Sequence, residues 1–260
     1  MCASTIPPKD PPALRLTGLC KAFGDAFAVS DVDLSVPRAS MYGLVGPNGA
    51  GKTTTISMAV GLLRPDGGTA EIFGVDVWQD PLRAKALVGV MPDGFAMPER
   101  LTGREMLTYL GLLRGMDIST VTRRVDDLLQ VLGLTSAEQT LIMEYSAGMR
   151  KKIGLASALL HAPRLLILDE PLEAVDPVSA ATIKTILSRF VSSGGAVVVS
   201  SHVMALVEEL CDHVAIINHG TVAASGRLND VRGTKSLEAR FVAFVSGDSR
   251  EPKELTWLES

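Results

Sequence analysis

The sequence predicts an α/β fold: a mixed sheet at the core, antiparallel strands at the N-terminal end and an inserted α-helical subdomain. Three observations predict it. A glycine-rich run, Gly46-Pro47-Asn48-Gly49-Ala50-Gly51-Lys52-Thr53, stands between a short apolar stretch and a helical one. Short apolar runs recur near residues 41–45, 87–91, 164–168, 196–200 and 214–218, interleaved with helical patterns, as in a βαβ-type core. Between residues 102 and 161 the apolar spacing becomes helical throughout.

Taken in order, residues 1–13 are rich in Pro and polar residues, lack the apolar core of a secretion signal and are expected as a flexible arm. Over residues 13–36, Leu14, Leu16, Val29, Val32, Leu34 and Val36 recur at short spacing around Gly24-Asp25, which predicts an antiparallel strand pair. Met41-Tyr42-Gly43-Leu44-Val45 reads as a strand, and residues 52–63 as the helix after the glycine-rich run. A strand pair over 68–77, a short helix near 81–85 and a strand at 87–91 follow. Met106, Leu107, Leu110 and Leu113, then Val121, Val125, Leu128, Leu129 and Leu132, carry the helical spacing of the insertion, placed at approximately 95–162. A strand at 164–168, a helix over 177–191, a strand at 196–200, another helix and a strand at 214–218 complete the core. Residues 233–260 are expected as a short helix or strand plus a polar tail, and no internal repeat is visible. The division is thus 1–13 arm, 14–233 main domain and 234–260 C-terminal tail.

Composition narrows the classes of function. The 260 residues, 47% of them hydrophobic, suffice for a packed core. A formal net charge of −4 and a pI near 5.6 argue against a broad basic surface for nucleic acid. Cys2, Cys20 and Cys211 are odd in number and lack CxxC spacing, so they read as cytosolic thiols rather than a disulfide framework or a zinc site. No stretch approaches 18 consecutive apolar residues, so no segment reads as membrane-spanning.

The glycine-rich run fits G-x-x-x-x-G-K-[ST] in its strand–loop–helix setting, the phosphate-binding loop of a P-loop NTPase core. Its glycines let the backbone wrap a polyphosphate, with Gly46, Pro47, Asn48, Gly49, Ala50, Gly51 and Thr54 beside the anion. Lys52 neutralises the β- and γ-phosphates, and the Thr53 hydroxyl ligates Mg²⁺. Downstream, Leu165-Leu166-Ile167-Leu168 ends in Asp169-Glu170. An Asp at such a strand end holds Mg²⁺ in P-loop NTPases, and Glu170, one residue on, accepts a proton from the attacking water. The alternative for that run is a buried strand ending in a solvated acidic turn.

With these residues on the page, the chain resembles the nucleotide-binding subunit of an ATP-binding cassette (ABC) transporter from about Leu14 to Gly233. Tyr145-Ser146-Ala147-Gly148-Met149 stands where that family has its LSGGQ-type signature. Asp176 falls in the D-loop, His202 matches the switch histidine, and Phe23 matches the aromatic residue stacked on adenine. The resemblance implies the ABC ATPase fold, ATP and Mg²⁺ as ligands, and a contact from His202 to the γ-phosphate. It also implies that Ser146, Ala147 and Gly148 serve the nucleotide of a second subunit, in a homodimer or heterodimer. For Phe23 the alternative is ordinary core packing. His161, His213 and His219 match no family motif, and Arg150-Lys151-Lys152 reads as a solvated helix face.

The chain departs from the family pattern at four places. Asp93, in Val90-Met91-Pro92-Asp93-Gly94, replaces a glutamine that contacts Mg²⁺. A carboxylate there reaches a metal only through water and repels phosphate unless a cation screens it. Ala147 replaces the first signature glycine, which requires a negative φ, Met149 replaces the glutamine, and Glu173 stands where serine is common. These variants, with Arg100-Leu101-Thr102-Gly103 downstream, look like the branch serving bacterial export-type permeases.

The expected activity is therefore ATP hydrolysis by a subunit peripheral to the cytoplasmic side of the cell membrane, powering a separate permease, with no direct nucleic-acid partner. Two alternatives remain open from sequence: a soluble ABC-type ATPase acting on ribosomes or nucleic acid, and a weakly hydrolytic regulatory subunit.

Overall fold

A computed structural model of the protein describes residues 10–94 and 96–246. Most of the expected arm, and residues 247–260 of the expected tail, lie outside the described residues.

The chain opens with β1 (Leu14–Phe23) and β2 (Ala26–Val36), which pair antiparallel around Gly24 at φ +60°. The strand β3 (Met41–Val45) feeds the glycine-rich loop and α1 (Lys52–Ala59). Then come β4 (Gly67–Ile72), β5 (Val75–Asp76), α2 (Pro81–Leu87) and β6 (Val88–Met91). The helical segment holds α3 (Gly103–Leu113), α4 (Ile118–Val131) and α5 (Ala147–Leu159). The second half runs β7 (Leu165–Leu168), α6 (Pro177–Ser192), β8 (Ala196–Ser201), α7 (Met204–Leu210) and β9 (His213–Asn218). It closes with β10 (Thr221–Arg227), α8 (Leu228–Arg232) and α9 (Leu237–Ser246).

Two sheets result. The antiparallel one is ordered β2-β1-β4-β5, and the mixed one β10-β9-β3-β8-β7-β6. In the mixed sheet only β10 runs antiparallel, against β9; the other neighbours are parallel. A parallel sheet is covered on both faces, so its strands are continuously apolar. Alternate residues divide accordingly. Met41, Val45, Leu166, Leu168, Val197 and Val199 join Met106, Leu107, Val121 and Val125 of the helical segment in one core. Tyr42, Leu44, Leu165, Ile167, Ala196 and Val198 face the opposite way, toward β1, β2, β4 and α1.

Helix starts follow local chemistry. Thr102 and Glu105 form a reciprocal capping box at α3, with bonds of 3.2 and 2.8 Å. Ser146 caps α5 by accepting from the Met149 amide at 3.2 Å, and Asp176 caps α6 by accepting from Val178 and Ser179 amides at 3.1 and 3.0 Å.

Two sequence expectations need correction. The helix expected over 52–63 stops at Ala59, because Gly61 adopts φ +74°, where a Cβ would stand 2.7 Å from Val77 Cγ1. The core expected to finish at 214–218 gains β10 and α8. Thr221–Arg227 carries small residues that are alternately exposed and half-buried, so an edge strand left no strong apolar signal. Within the tail, α9 packs Phe241 and Phe244 against the first core. No helix among the described residues is long and apolar enough to cross a membrane.

Candidate active site

Because β3, β6, β7 and β8 run parallel, the loops that leave them open on one edge of the sheet. The glycine-rich loop follows β3, Asp93 lies just beyond β6, Asp169-Glu170 follows β7, and His202 follows β8. Residues more than a hundred positions apart in the chain therefore line a single open cleft of about 410 Å³. Its walls are Ala28, Asn48–Thr54, Asp93, Asp169, Glu170, Glu173 and His202.

The loop after β3 is built for close approach to a ligand. Gly51 takes φ +104°, and a Cβ there would stand 2.5 Å from the Ala28 carbonyl oxygen; a Cβ on Gly46 would collide with the Ile217 carbonyl oxygen. No side chain caps α1 and no acidic residue occupies its first turn, so the positive end of the helix faces the cleft uncompensated. Lys52 is buried, and its Nζ donates to the carbonyl oxygens of Gly46 at 2.8 Å and Pro47 at 3.2 Å. The ammonium is held over the loop by acceptors of the loop itself.

The carboxylates form a second, tightly tied layer. Asp169 is 1% exposed. Its Oδ2 accepts from Thr53 Oγ1 at 2.9 Å, and its Oδ1 accepts from the fully buried Ser200 hydroxyl in a short bond. Glu170 adopts φ +47°, the left-handed region, which costs a non-glycine residue about 1–2 kcal/mol. Three contacts hold it there. Its amide donates to Ser200 Oγ at 2.9 Å, and its carbonyl accepts from Lys151 Nζ at 2.7 Å. Its Oε1 lies 3.0 Å from His202 Nδ1. That turn points the Glu170 carboxylate into the cleft while Asp169 stays beneath it.

The sequence-predicted residues divide into two groups. Asn48, Gly49, Ala50, Gly51, Lys52, Thr53, Thr54, Asp93, Asp169, Glu170 and His202 meet in the cleft, with Gly46 and Pro47 forming the base of the same loop. Phe23, Ser146, Ala147, Gly148 and Asp176 do not line it. Phe23 is 56% exposed, which rules out core packing. Ser146 and Asp176 are helix caps with exposed surfaces. Hydrogen bonds from Ser179 hold the Asp176 carboxyl below its ordinary range. Gly148 sits where a Cβ would meet Asp176 Oδ2 at 3.0 Å and Ser179 Oγ at 3.3 Å, so glycine lets α5 and α6 approach. Ala147 is the first residue of α5 and is not among the positive-φ residues, as its side chain requires.

Sequence reasoning missed two residues that organise the cleft. Ser200 stands on β8 one step past the Leu168–Val199 register pair, beside Asp169; a serine ending a run of valines was the available signal. The sequence places Lys151 on a solvated helix face, and the structure corrects this. Its side chain is only 20% exposed and reaches Glu170 and Asp93, while Arg150 donates to the Tyr145 and Met143 carbonyls. His161, His213 and His219 stay outside the cleft. Burial, followed by the charge of Arg114, lowers the His161 pKa to about 4, and its Nε2 faces the Val88 carbonyl at 3.0 Å.

The donor set suits ATP with Mg²⁺. A neutral hydroxyl and a carboxylate, already 2.9 Å apart, are hard oxygen donors. Mg²⁺ commonly takes one or two such protein ligands and completes its shell with water and phosphate.

Known proteins resemble this chain over most of its length. Residues 29–173 match the family described as ABC transporter. The daunorubicin/doxorubicin resistance ATP-binding protein DrrA of Streptomyces peucetius is 37% identical over 242 residues, 93% of this chain and 73% of that protein. The Nod factor export ATP-binding protein I of Cupriavidus pinatubonensis is 34% identical over 218 residues, 84% of this chain and 67% of that protein. A solved ATP-binding subunit of an ABC transporter superposes with a TM-score of 0.83 at 29% identity, covering 89% of this chain and 99% of that one.

Proposed function

The chain belongs to the ABC transporter family of ATP-binding proteins, and from that premise we propose that it powers a separate membrane permease working in the export direction. It binds and hydrolyses ATP, as its family does. One observation carries the site assignment: Lys52, Thr53, Asp169, Glu170 and His202, remote in sequence, converge on one cleft at the edge of a parallel sheet.

In this reading Lys52 and the amides of the glycine-rich loop hold the phosphates. Thr53 and Asp169 hold Mg²⁺, which when bound offsets phosphate charge. Glu170 orients the attacking water and takes its proton, and His202, already paired with Glu170, contacts the γ-phosphate. Phe23, exposed at the end of β1, stacks on adenine. The α5 N-terminus, with Ser146, Ala147 and Gly148, lies outside the cleft of its own chain, which supports its use by a second ATP-binding subunit, identical or different. Asp176 lies beside that terminus and joins the same interface. ATP binding closes the pair and hydrolysis reopens it. We take residues 14–233 as the ATPase domain, with a helical subdomain at approximately 95–162. Export is supported by relatives named for drug resistance and for Nod factor export. A peripheral place on the cytoplasmic side of the membrane follows from the permease partner.

Two measurements on the full chain test the proposal. Mg²⁺-dependent ATP turnover is expected, and Glu170→Gln should lower it by about 10²–10⁴-fold, the usual worth of a general base, with ATP binding kept. Affinity purification from membranes should recover a polytopic membrane protein; recovery of ribosomes without one would overturn the transport reading.

A further inference from the structure

The charge balance around the cleft does not close with the residues assigned so far. Asp93, Asp169, Glu170 and Glu173 all line it, while Lys52 is the lysine on its wall. Asp93 and Glu173 stand where the family resemblance leads one to expect uncharged side chains, and each adds negative charge where phosphate is to bind. Mg²⁺ held by Thr53 and Asp169 would offset charge at that end of the cleft, but the carboxylates of Asp93 and Glu173 still repel a polyphosphate unless a further cation sits close by.

Lys151 is that cation. It projects from the second turn of α5, and its Nζ lies 3.5 Å from Asp93 Oδ1. The same ammonium donates at 2.7 Å to the main-chain carbonyl of Glu170. That carbonyl belongs to the residue held at φ +47°, and its other donor, the Glu173 amide, is at 3.3 Å. One side chain thus joins three segments: the helix that carries the signature, the loop after β6 and the turn that aims the general base.

We propose that Lys151 is a positioning residue for ATP hydrolysis, with two separable tasks. Its hydrogen bond to the Glu170 carbonyl fixes the turn that presents the Glu170 carboxylate, and its charge screens Asp93 from the nucleotide. The inference rests on Glu170 as the base. Movement of α5 relative to β7 changes the first contact directly, so the helical segment and the base are mechanically linked through one ammonium. Asp93 is the counterpart that such a lysine makes tolerable.

The two tasks predict different kinetic signatures. In the full-length chain, Lys151→Met should lower kcat about tenfold through loss of the carbonyl anchor and weaken ATP binding severalfold through the unscreened carboxylate. Lys151→Arg, which keeps a charged donor, should recover most of both. Adding Asp93→Asn to Lys151→Met should restore ATP affinity, read by fluorescent-nucleotide titration, while kcat stays low. Thermal unfolding of each variant identifies any that fails to fold, and Lys151→Gln then replaces Lys151→Met. Wild-type kcat and KM in Lys151→Met, or a double variant whose affinity stays weak, would overturn the inference. Glu170→Gln, measured in parallel, separates the two readings. If it abolishes turnover while Lys151→Met keeps the wild-type kcat, the positioning role fails alone; if it turns over normally, both fail.

Discussion

Ser200→Ala is the most informative single change near the cleft, because one buried hydroxyl serves both carboxylate residues. Ser200 Oγ donates to Asp169 Oδ1 and accepts from the Glu170 amide, and the residue is fully buried. Removing it deletes a hydrogen bond to a charged acceptor, worth about 1.5–3 kcal/mol, and leaves the Glu170 N–H without that acceptor, a loss of about 1–3 kcal/mol. The contributions overlap, so the expected loss is about 3 kcal/mol. Urea denaturation should show a lower midpoint with an unchanged slope, and at about 2 °C per kcal/mol for a chain of this size the thermal midpoint should fall by about 6 °C. Turnover should also fall, since the Glu170 turn loses its amide anchor. Ser201→Ala is the control: that hydroxyl accepts one bond, from the Val203 amide at 3.0 Å, and its removal should cost about 1 kcal/mol. A loss below about 0.5 kcal/mol for Ser200→Ala would refute the accounting, because a buried hydroxyl with two such partners cannot then be what holds the site.

Two further outcomes are expected. Gly51→Ala should abolish ATP binding by calorimetry, since φ +104° and an oxygen 2.5 Å from the new Cβ force the loop to move; wild-type affinity would show that the loop geometry is not needed. His161, with a folded pKa of about 4 against an unfolded value near 6.5, binds a proton more readily when unfolded, so stability falls as pH drops through that window. After allowance for its partial exposure the loss between pH 7 and pH 5 is about 1 kcal/mol, and it should be absent in His161→Gln; equal pH dependence in both proteins would contradict this.

The legibility of this fold in its sequence followed the strength of local chemistry. The loop before α1 was readable because glycines, a lysine and a threonine must stand at fixed spacing to cradle phosphate, and Asp169-Glu170 because acidic residues at the end of Leu165–Leu168 interrupt an apolar run. Strands buried on both faces also announce themselves, since both sets of alternate residues are apolar. Residues that act through tertiary contact were silent. Ser200 gains its partners only when β8 lies beside β7, and Lys151 reads as any lysine on a helix until α5 packs against the turn after β7. β10 was missed for a related reason: an edge strand of small residues has no apolar rhythm to read.

If one chain carries a complete loop and base but only half of an ATP site, the solution mass of Glu170→Gln must respond to nucleotide. With Mg²⁺ and saturating ATP, light scattering on an eluting peak should give twice the 27.5 kDa of the single chain, and removal of nucleotide should return the peak to one chain. If the natural pair consists of two different subunits, the same doubling requires the second one to be added. A peak that stays at one chain with ATP bound, with or without that second subunit, would show that the site is not shared between two subunits.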